Sequence, residues 1–306
     1  MGGGGGGRYT RPSSDYIDRK IALAQERERQ QLDGDVNELL QKLLAQFNAR
    51  DRDIIRSRIE SVGEILGDTA QMETILLGGS AAKHTDVNGI SDVDALVILD
   101  RADLVGKEPQ FVLDSFHEAL DVKLPRNEVQ SVRKGTLAVT VTYRDGTEVQ
   151  LLPALRSKST VSIASSDGKS WSDTKPDVFR RELTNANQRL NQALVPAVKL
   201  VKSIVSDLPK QKQLTGYHIE TLAVDAARGY RGANTPKALL LHVLGHSAQR
   251  VLEPIADVTG QSRSVDLYLG RANSLERRNV SQALLGMKRR LEAATSVSQW
   301  RTVLGE

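Results

Sequence analysis

Cysteine is absent from this 306-residue chain, so disulfides and thiolate-bound metal centres are excluded, as suits a reducing, cytoplasmic setting. Aromatic residues make up only 4%. The core is therefore expected to be aliphatic, with a strong helical share. No run of about 18 or more apolar residues exists to span a bilayer, and no membrane partner is expected. Neither sign of charge dominates: 42 Lys+Arg stand against 38 Asp+Glu. Such a mild excess permits polyanionic ligands without calling for nucleic acid. Met1 and the six glycines after it carry no apolar signal core and read as a disordered start, 1–13.

What is present begins with Leu77-Gly78-Gly79-Ser80, followed by Asp92-Val93-Asp94 at the head of the apolar run Ala95 to Leu99. Gly79 lets the backbone approach a phosphate, and Ser80 offers an N–H and a hydroxyl to its oxygens. Side chains two apart on a strand share a face, so Asp92 and Asp94 are expected to point the same way. Two adjacent carboxylates repel and favour a cation between them; Mg²⁺ takes carboxylate and phosphate oxygens and suits the pair. Alone, Gly-Gly-Ser is more often a turn and Asp-x-Asp a solvated strand entry. Their order and spacing together favour chemistry.

Helical periodicity covers Ser14 to about Asn48, where Leu32, Val36, Leu39, Leu40, Leu43, Leu44 and Phe47 form a stripe that runs through Asp33-Gly34-Asp35. A second helix is expected over Asp51 to Leu66, with Ile54, Ile55, Ile59, Val62 and Ile65 inward. Strands are expected at Val93–Leu99, Leu137–Tyr143 and Glu148–Leu152. The last two flank Asp145-Gly146, which as a two-residue turn would pair Tyr143 with Glu148 and Val141 with Gln150. Ser157 to Ser172 reads as a long loop, and the rest as helices, among them Leu194–Val205, Gly216–Arg228, Pro236–Leu252 and Arg278–Ala294. The fold class is thus α+β: an N-terminal half with its leading helices over 14–156, then a helical half over 157–306.

Gly79-Ser80 followed by Asp92-x-Asp94 resembles the DNA polymerase beta-like nucleotidyltransferase superfamily. The chain looks like its bacterial cGAS/DncV-like branch, the CD-NTases. That likeness is carried by Leu152-Pro153-Ala154, the helix Val195 to Lys202, Thr215-Gly216-Tyr217-His218-Ile219-Glu220 and the closing Trp300 to Gly305. It implies a polymerase beta-like core, a mixed sheet with flanking helices, ahead of a helical domain. It also implies synthesis of a cyclic oligonucleotide from nucleoside triphosphates, with pyrophosphate release, in anti-phage (CBASS) signalling alongside defence-operon partner proteins.

Residue by residue, the resemblance makes Asp92 and Asp94 the ligands of Mg²⁺ or Mn²⁺ and sets Ser80, beside Gly79, on the β- and γ-phosphates. Lys202 would neutralise the triphosphate, with Lys199 assisting one turn earlier. Tyr217 would stack a base. Two positions depart from the family. Gln150 stands where a third acid ligates metal and helps deprotonate the attacking hydroxyl; a carboxamide can ligate but is no base at neutral pH. Glu148, on the same face, is its candidate substitute. Gly216 stands where relatives carry a phosphate-binding serine, with Thr215 as a compensating neighbour. The alternatives are a nucleotide-binding pseudoenzyme, or single-step nucleotidyl transfer to tRNA, an antibiotic or a protein. His84 and His218 are given no role.

Overall fold

The computed structural model describes residues 14–49, 51–68, 72–99, 107–156, 160–165 and 167–306. The glycine-rich start lies outside them, as do residues 157–159 and 166 of the expected loop. Among the described residues the chain runs through α1 (Ser14–Phe47), α2 (Arg52–Gly67), β1 (Met72–Leu77), a 3₁₀ turn (Ala81–Lys83) and β2 (Val93–Leu99). Then come α3 (Pro109–Lys123), β3 (Val129–Lys134), β4 (Val139–Tyr143), β5 (Glu148–Arg156), β6 (Val161–Ala164) and β7 (Trp171–Thr174). Helices follow: α4 (Pro176–Arg189), α5 (Leu194–Ser206), α6 (Gly216–Ala227), α7 (Pro236–Arg250), α8 (Leu275–Ala293) and α9 (Val297–Leu304). The architecture is mixed α+β, as expected.

The strands form one sheet in the order β1-β2-β5-β4-β3. Strands β2 and β5 are parallel, and the other pairs are antiparallel. Strand β5 is long enough to hold β2 along one edge and, along the other, β4 and then β6. Alternation along β2 divides the sheet's faces. Val93, Ala95 and Val97 are buried with Ile55, Val62 and Leu66 of α2 and Val112, Leu113 and Phe116 of α3. Asp94 and Leu96 therefore take the opposite face. Burying a valine such as Val93 or Val97 contributes roughly 1.5–3 kcal/mol, and a one-residue slip of β2 would turn Val93, Ala95 and Val97 to the opposite face.

Helix α1 passes unbroken through Gly34, and Val36, Leu39, Leu40, Leu43 and Leu44 pack in one cluster with buried residues of the C-terminal helices. Helix α2 starts where Asp51 accepts from the N–H groups of Asp53 and Ile54, both at 3.0 Å. Ile54 is exposed, contrary to the expected inward set, because the buried side is set by Ile55, Val62 and Leu66. Two further expectations are corrected. The stretch expected as a loop carries β6 and β7, which extend the sheet past residue 156. The hairpin register is shifted by one, with Thr142 opposite Glu148 and Thr140 opposite Gln150. Its loop takes three residues: Tyr143 N–H donates to Thr147 O at 2.8 Å, and Gly146 turns at φ +85. The assignment of Glu148, Gln150 and Leu152 to one face, against buried Val149 and Leu151, survives the shift.

Candidate active site

Strand β1 ends at Leu77, opposite Ala95, and the chain turns back over β2: Gly78 N–H donates to Asp94 O at 2.8 Å. Gly79 sits at φ +50, and a Cβ there would lie 1.6 Å from Asp94 Oδ2. The turn is thus folded directly against that carboxylate. Ser80 opens the 3₁₀ turn, its carbonyl accepting from Lys83 N at 3.1 Å and Thr85 N at 3.0 Å.

Asp92 immediately precedes β2, and Asp94 pairs in register with Gln150 on parallel β5. Gln150 Nε2 donates to Asp92 Oδ2 at 2.6 Å, so the two aspartates and the glutamine converge. Burial raises the pKa of Asp94, the charge of Asp92 raises it further, and Lys83 and Lys202 pull it back. Such a site gains from a cation. Two carboxylates and a carboxamide oxygen are hard donors that fit Mg²⁺, an ion that keeps waters and shares substrate phosphates. Glu148 is engaged elsewhere: its Oε1 accepts from Arg133 and from Thr142 Oγ1, each at 2.9 Å.

The helical half supplies the other wall. Lys202 Nζ meets Glu220 Oε1 at 2.8 Å, and Lys83 Nζ meets Glu220 Oε2 at 2.6 Å. A Cβ on Gly216 would come within 3.4 Å of Lys202 Nζ, so the start of α6 lies over that ammonium. Thr215 caps α6, its hydroxyl accepting from His218 N at 3.3 Å. Tyr217 packs edge-on against Phe179 at 4.9 Å and donates its hydroxyl to Asp257 Oδ1 at 2.8 Å. Burial, then Asp257, pushes its phenol pKa upward. Lys199, also buried, donates from its ammonium to Asn48 Oδ1 at 2.6 Å, beyond the end of α1, and stands 4.0 Å from Asp86 Oδ1.

Sequence reasoning gave no role to Lys83, Thr85, Phe179, Glu220 and Asp257. A signal existed for Glu220, one acid within the apolar run Ile219 to Val224. His84 closes the 3₁₀ turn at φ 58. His218 is wholly buried, its Nδ1 3.0 Å from Tyr268 Oη. Burial lowers its pKa to about 4, with Asp266 opposing and Arg277 and Arg250 assisting. The unfolded chain therefore binds a proton below about pH 6.5 that the folded chain resists. Folding stability should fall as pH drops from about 6.5 to about 4, and His218→Gln should flatten that segment in denaturant titrations. An unchanged slope would refute it.

A family profile described as Second Messenger Oligonucleotide or Dinucleotide Synthetase domain, SMODS, matches residues 32–187. The chain belongs to this family. The match takes in the Gly-Ser turn, both aspartates and Gln150. No curated protein sequence matches the chain. Among solved structures, the Bradyrhizobium diazoefficiens CD-NTase CdnG in complex with GTP has a TM-score of 0.65 at 17% identity, covering 88% of this chain and 97% of its own. CdnC of E. coli MS115-1, solved with a HORMA protein, gives 0.61 at 16% identity, with 83% and 91% covered. The Vibrio cholerae DncV cyclic AMP-GMP synthase, solved with a linear intermediate, gives 0.59 at 11% identity, with 96% and 90% covered. At these identities the likeness establishes the fold alone, that of the CD-NTases; it is the SMODS family, by its profile, whose members synthesise messenger oligonucleotides or dinucleotides. Among the described residues no helix is long and apolar enough to cross a membrane.

Proposed function

We propose that this chain joins nucleoside triphosphates through phosphodiester bonds, releasing pyrophosphate, and closes the product into a cyclic oligonucleotide messenger of anti-phage defence. The observation that carries this reading is the seating of the Gly79 turn on Asp94, in register with Gln150 and within reach of Asp92. Mg²⁺ or Mn²⁺ held by Asp92 and Asp94, with the Gln150 carboxamide, would supply Lewis-acid activation of the α-phosphate and of the attacking hydroxyl. The Ser80 N–H and hydroxyl bind the outer phosphates, and the charge of Lys202 balances theirs. The Tyr217 ring, fixed by Phe179 and Asp257, stacks a base, an interaction worth about 1–3 kcal/mol and tolerant of base identity.

Incubation with the four labelled triphosphates and either metal, followed by mass spectrometry, tests the proposal. A cyclic product is expected. Free pyrophosphate with label on tRNA or protein would indicate transfer to another acceptor instead.

The Gln150 to Asp92 hydrogen bond favours a second reading, a nucleotide-binding pseudoenzyme, since an amide donor occupies a base's position. Gln150→Asp decides between them. Restored general-base help should raise pyrophosphate release by about tenfold or more. An unchanged rate would show that Gln150 does not stand in for a third acid; tight binding without turnover in either form selects the second reading.

A further inference from the structure

The first turn of α6 carries Tyr217, and one stretch of chain, residues 251–271, grips that turn twice. Asp257 Oδ1 accepts from the Tyr217 hydroxyl at 2.8 Å, and the Tyr268 hydroxyl accepts from Thr215 N at 3.1 Å. The same stretch also holds α4. Thr259 O accepts at 2.9 Å from the N–H of Lys175, the residue before the helix that sets Phe179 edge-on against Tyr217.

This stretch has little regular structure: a 3₁₀ turn at Leu267–Leu269 and a bridge between Ala256 and Ser264. It is pinned from within by Arg277 of α8, which is wholly buried. The guanidinium donates to Val251 O at 2.9 Å, Gly270 O at 3.0 Å and Asp266 Oδ2 at 2.7 Å. Asp266, equally buried, accepts on Oδ1 from Ile255 N at 3.3 Å and from the Ser264 hydroxyl. Buried charges persist only when paired and hydrogen-bonded, and here each bond pins a different point of the same stretch.

A chain of polar contacts runs from this anchor to α6. His218 Nδ1 lies 3.0 Å from Tyr268 Oη, and its Nε2 lies 3.7 Å from Asp266 Oδ2. Burial keeps the imidazole neutral near pH 7, so one ring nitrogen carries the hydrogen. On Nε2 that hydrogen faces the Asp266 carboxylate; on Nδ1 it would leave a lone pair aimed at the carboxylate, which repels it. Nδ1 is therefore the acceptor, and the Tyr268 hydroxyl donates to it while accepting from Thr215 N. Tyr268 is 48% exposed, so these two bonds, more than burial, fix its place.

We infer that Tyr268 is a positioning residue for the base-stacking ring: its hydroxyl, backed by His218, Asp266 and Arg277, sets where the first turn of α6 holds Tyr217. This rests on the nucleotide-binding reading above and adds the part that keeps the ring in place. Residues 251–271 act as a clamp, with Tyr268 on the backbone of the turn and Asp257 on the ring's hydroxyl. A ring already held at its bound angle spares the free energy of ordering it when the base arrives.

Calorimetry on the full chain, with ATP or GTP, whichever binds more tightly, and with inorganic tripolyphosphate tests the assignment. Tyr268→Phe keeps the ring and removes the hydroxyl. Nucleotide affinity should fall about three- to tenfold, the scale of one hydrogen bond. Tripolyphosphate has no base to stack and should lose less than about twofold; where its heat is too small, its displacement of nucleotide gives the constant. Nitrogen NMR adds a readout that loss of packing would not move. Native His218 should carry its hydrogen on Nε2, and Tyr268→Phe should shift the Nδ1 resonance, with His218→Gln assigning the signal. Tyr217→Phe, which frees the ring from Asp257, should show the same selective loss and carries the test should Tyr268→Phe fail to fold. Unchanged nucleotide affinity in the folded variant would overturn the inference. Equal losses for both ligands would overturn it too, making the clamp only a support of the fold, as would a native His218 with its hydrogen on Nδ1. If the unaltered chain bound no nucleotide, the nucleotide reading itself would fall, and this assignment with it.

Discussion

Replacing Asp92 and Asp94 together with alanine should remove all detectable nucleotide product while leaving the protein folded. The loss expected is about a thousandfold or more, the scale of several kcal/mol of transition-state charge stabilisation. The fold should not suffer, because the pair is a burden on it. Asp94 is pressed into a partly buried position beside a like charge, and its carboxyl resists ionisation for both reasons. Removing two such groups relieves repulsion and desolvation, so thermal stability should hold or rise. That opposition between lost activity and retained stability is characteristic of a functional site. A doubly substituted protein that still formed product would refute the assignment; one that unfolded would assign the pair a structural role.

The elements that build this acid pair were legible because they rest on local rules. Val93 to Leu99 reads as a strand from its apolar run, and the structure gives the same bounds. The aspartates' convergence with Gln150 needed parallel register between β2 and β5, which no local pattern encodes. Where sequence reading missed, a longer-range term decided. Asp145-Gly146 identified the hairpin but not its loop length, which the Tyr143 N–H to Thr147 O bond settles and which moves every pairing by one. Strands β6 and β7 are short and rich in Ser, Lys and Gly nearby; they exist because β5 extends beyond β4 and offers an unpaired edge. Lys199 and Lys202 look alike in sequence, one turn apart, yet one serves Asn48 and the other Glu220. The Thr85–Glu220 contact joins residues 135 apart in the chain. Periodicity cannot reach that far.

Gly79→Ala should cost about a hundredfold in product formation, the penalty for displacing reacting groups by about 1 Å. Two effects act at Gly79 and can be told apart. The left-handed backbone, φ +50, is unfavourable for alanine by roughly 1–2 kcal/mol, a stability cost with no direct bearing on chemistry. The added Cβ would also stand 1.6 Å from Asp94 Oδ2 and 2.5 Å from Asp94 Cγ, distances no contact tolerates. Either the turn lifts away or the carboxylate swings aside, and both separate the N–H groups proposed to bind phosphate from the acid pair. Gly146→Ala isolates the first effect. Gly146 has φ +85, but nothing lies within 4 Å of the Cβ it would gain. Alanine there should lower stability by a similar roughly 1–2 kcal/mol and leave product formation unchanged. If the two variants lost activity equally, backbone strain alone would explain Gly79, and the close seating of the turn on Asp94 would carry no catalytic meaning. If only Gly79→Ala fell, with both proteins equally destabilised, the contact with Asp94 would be what brings phosphate and acid into register.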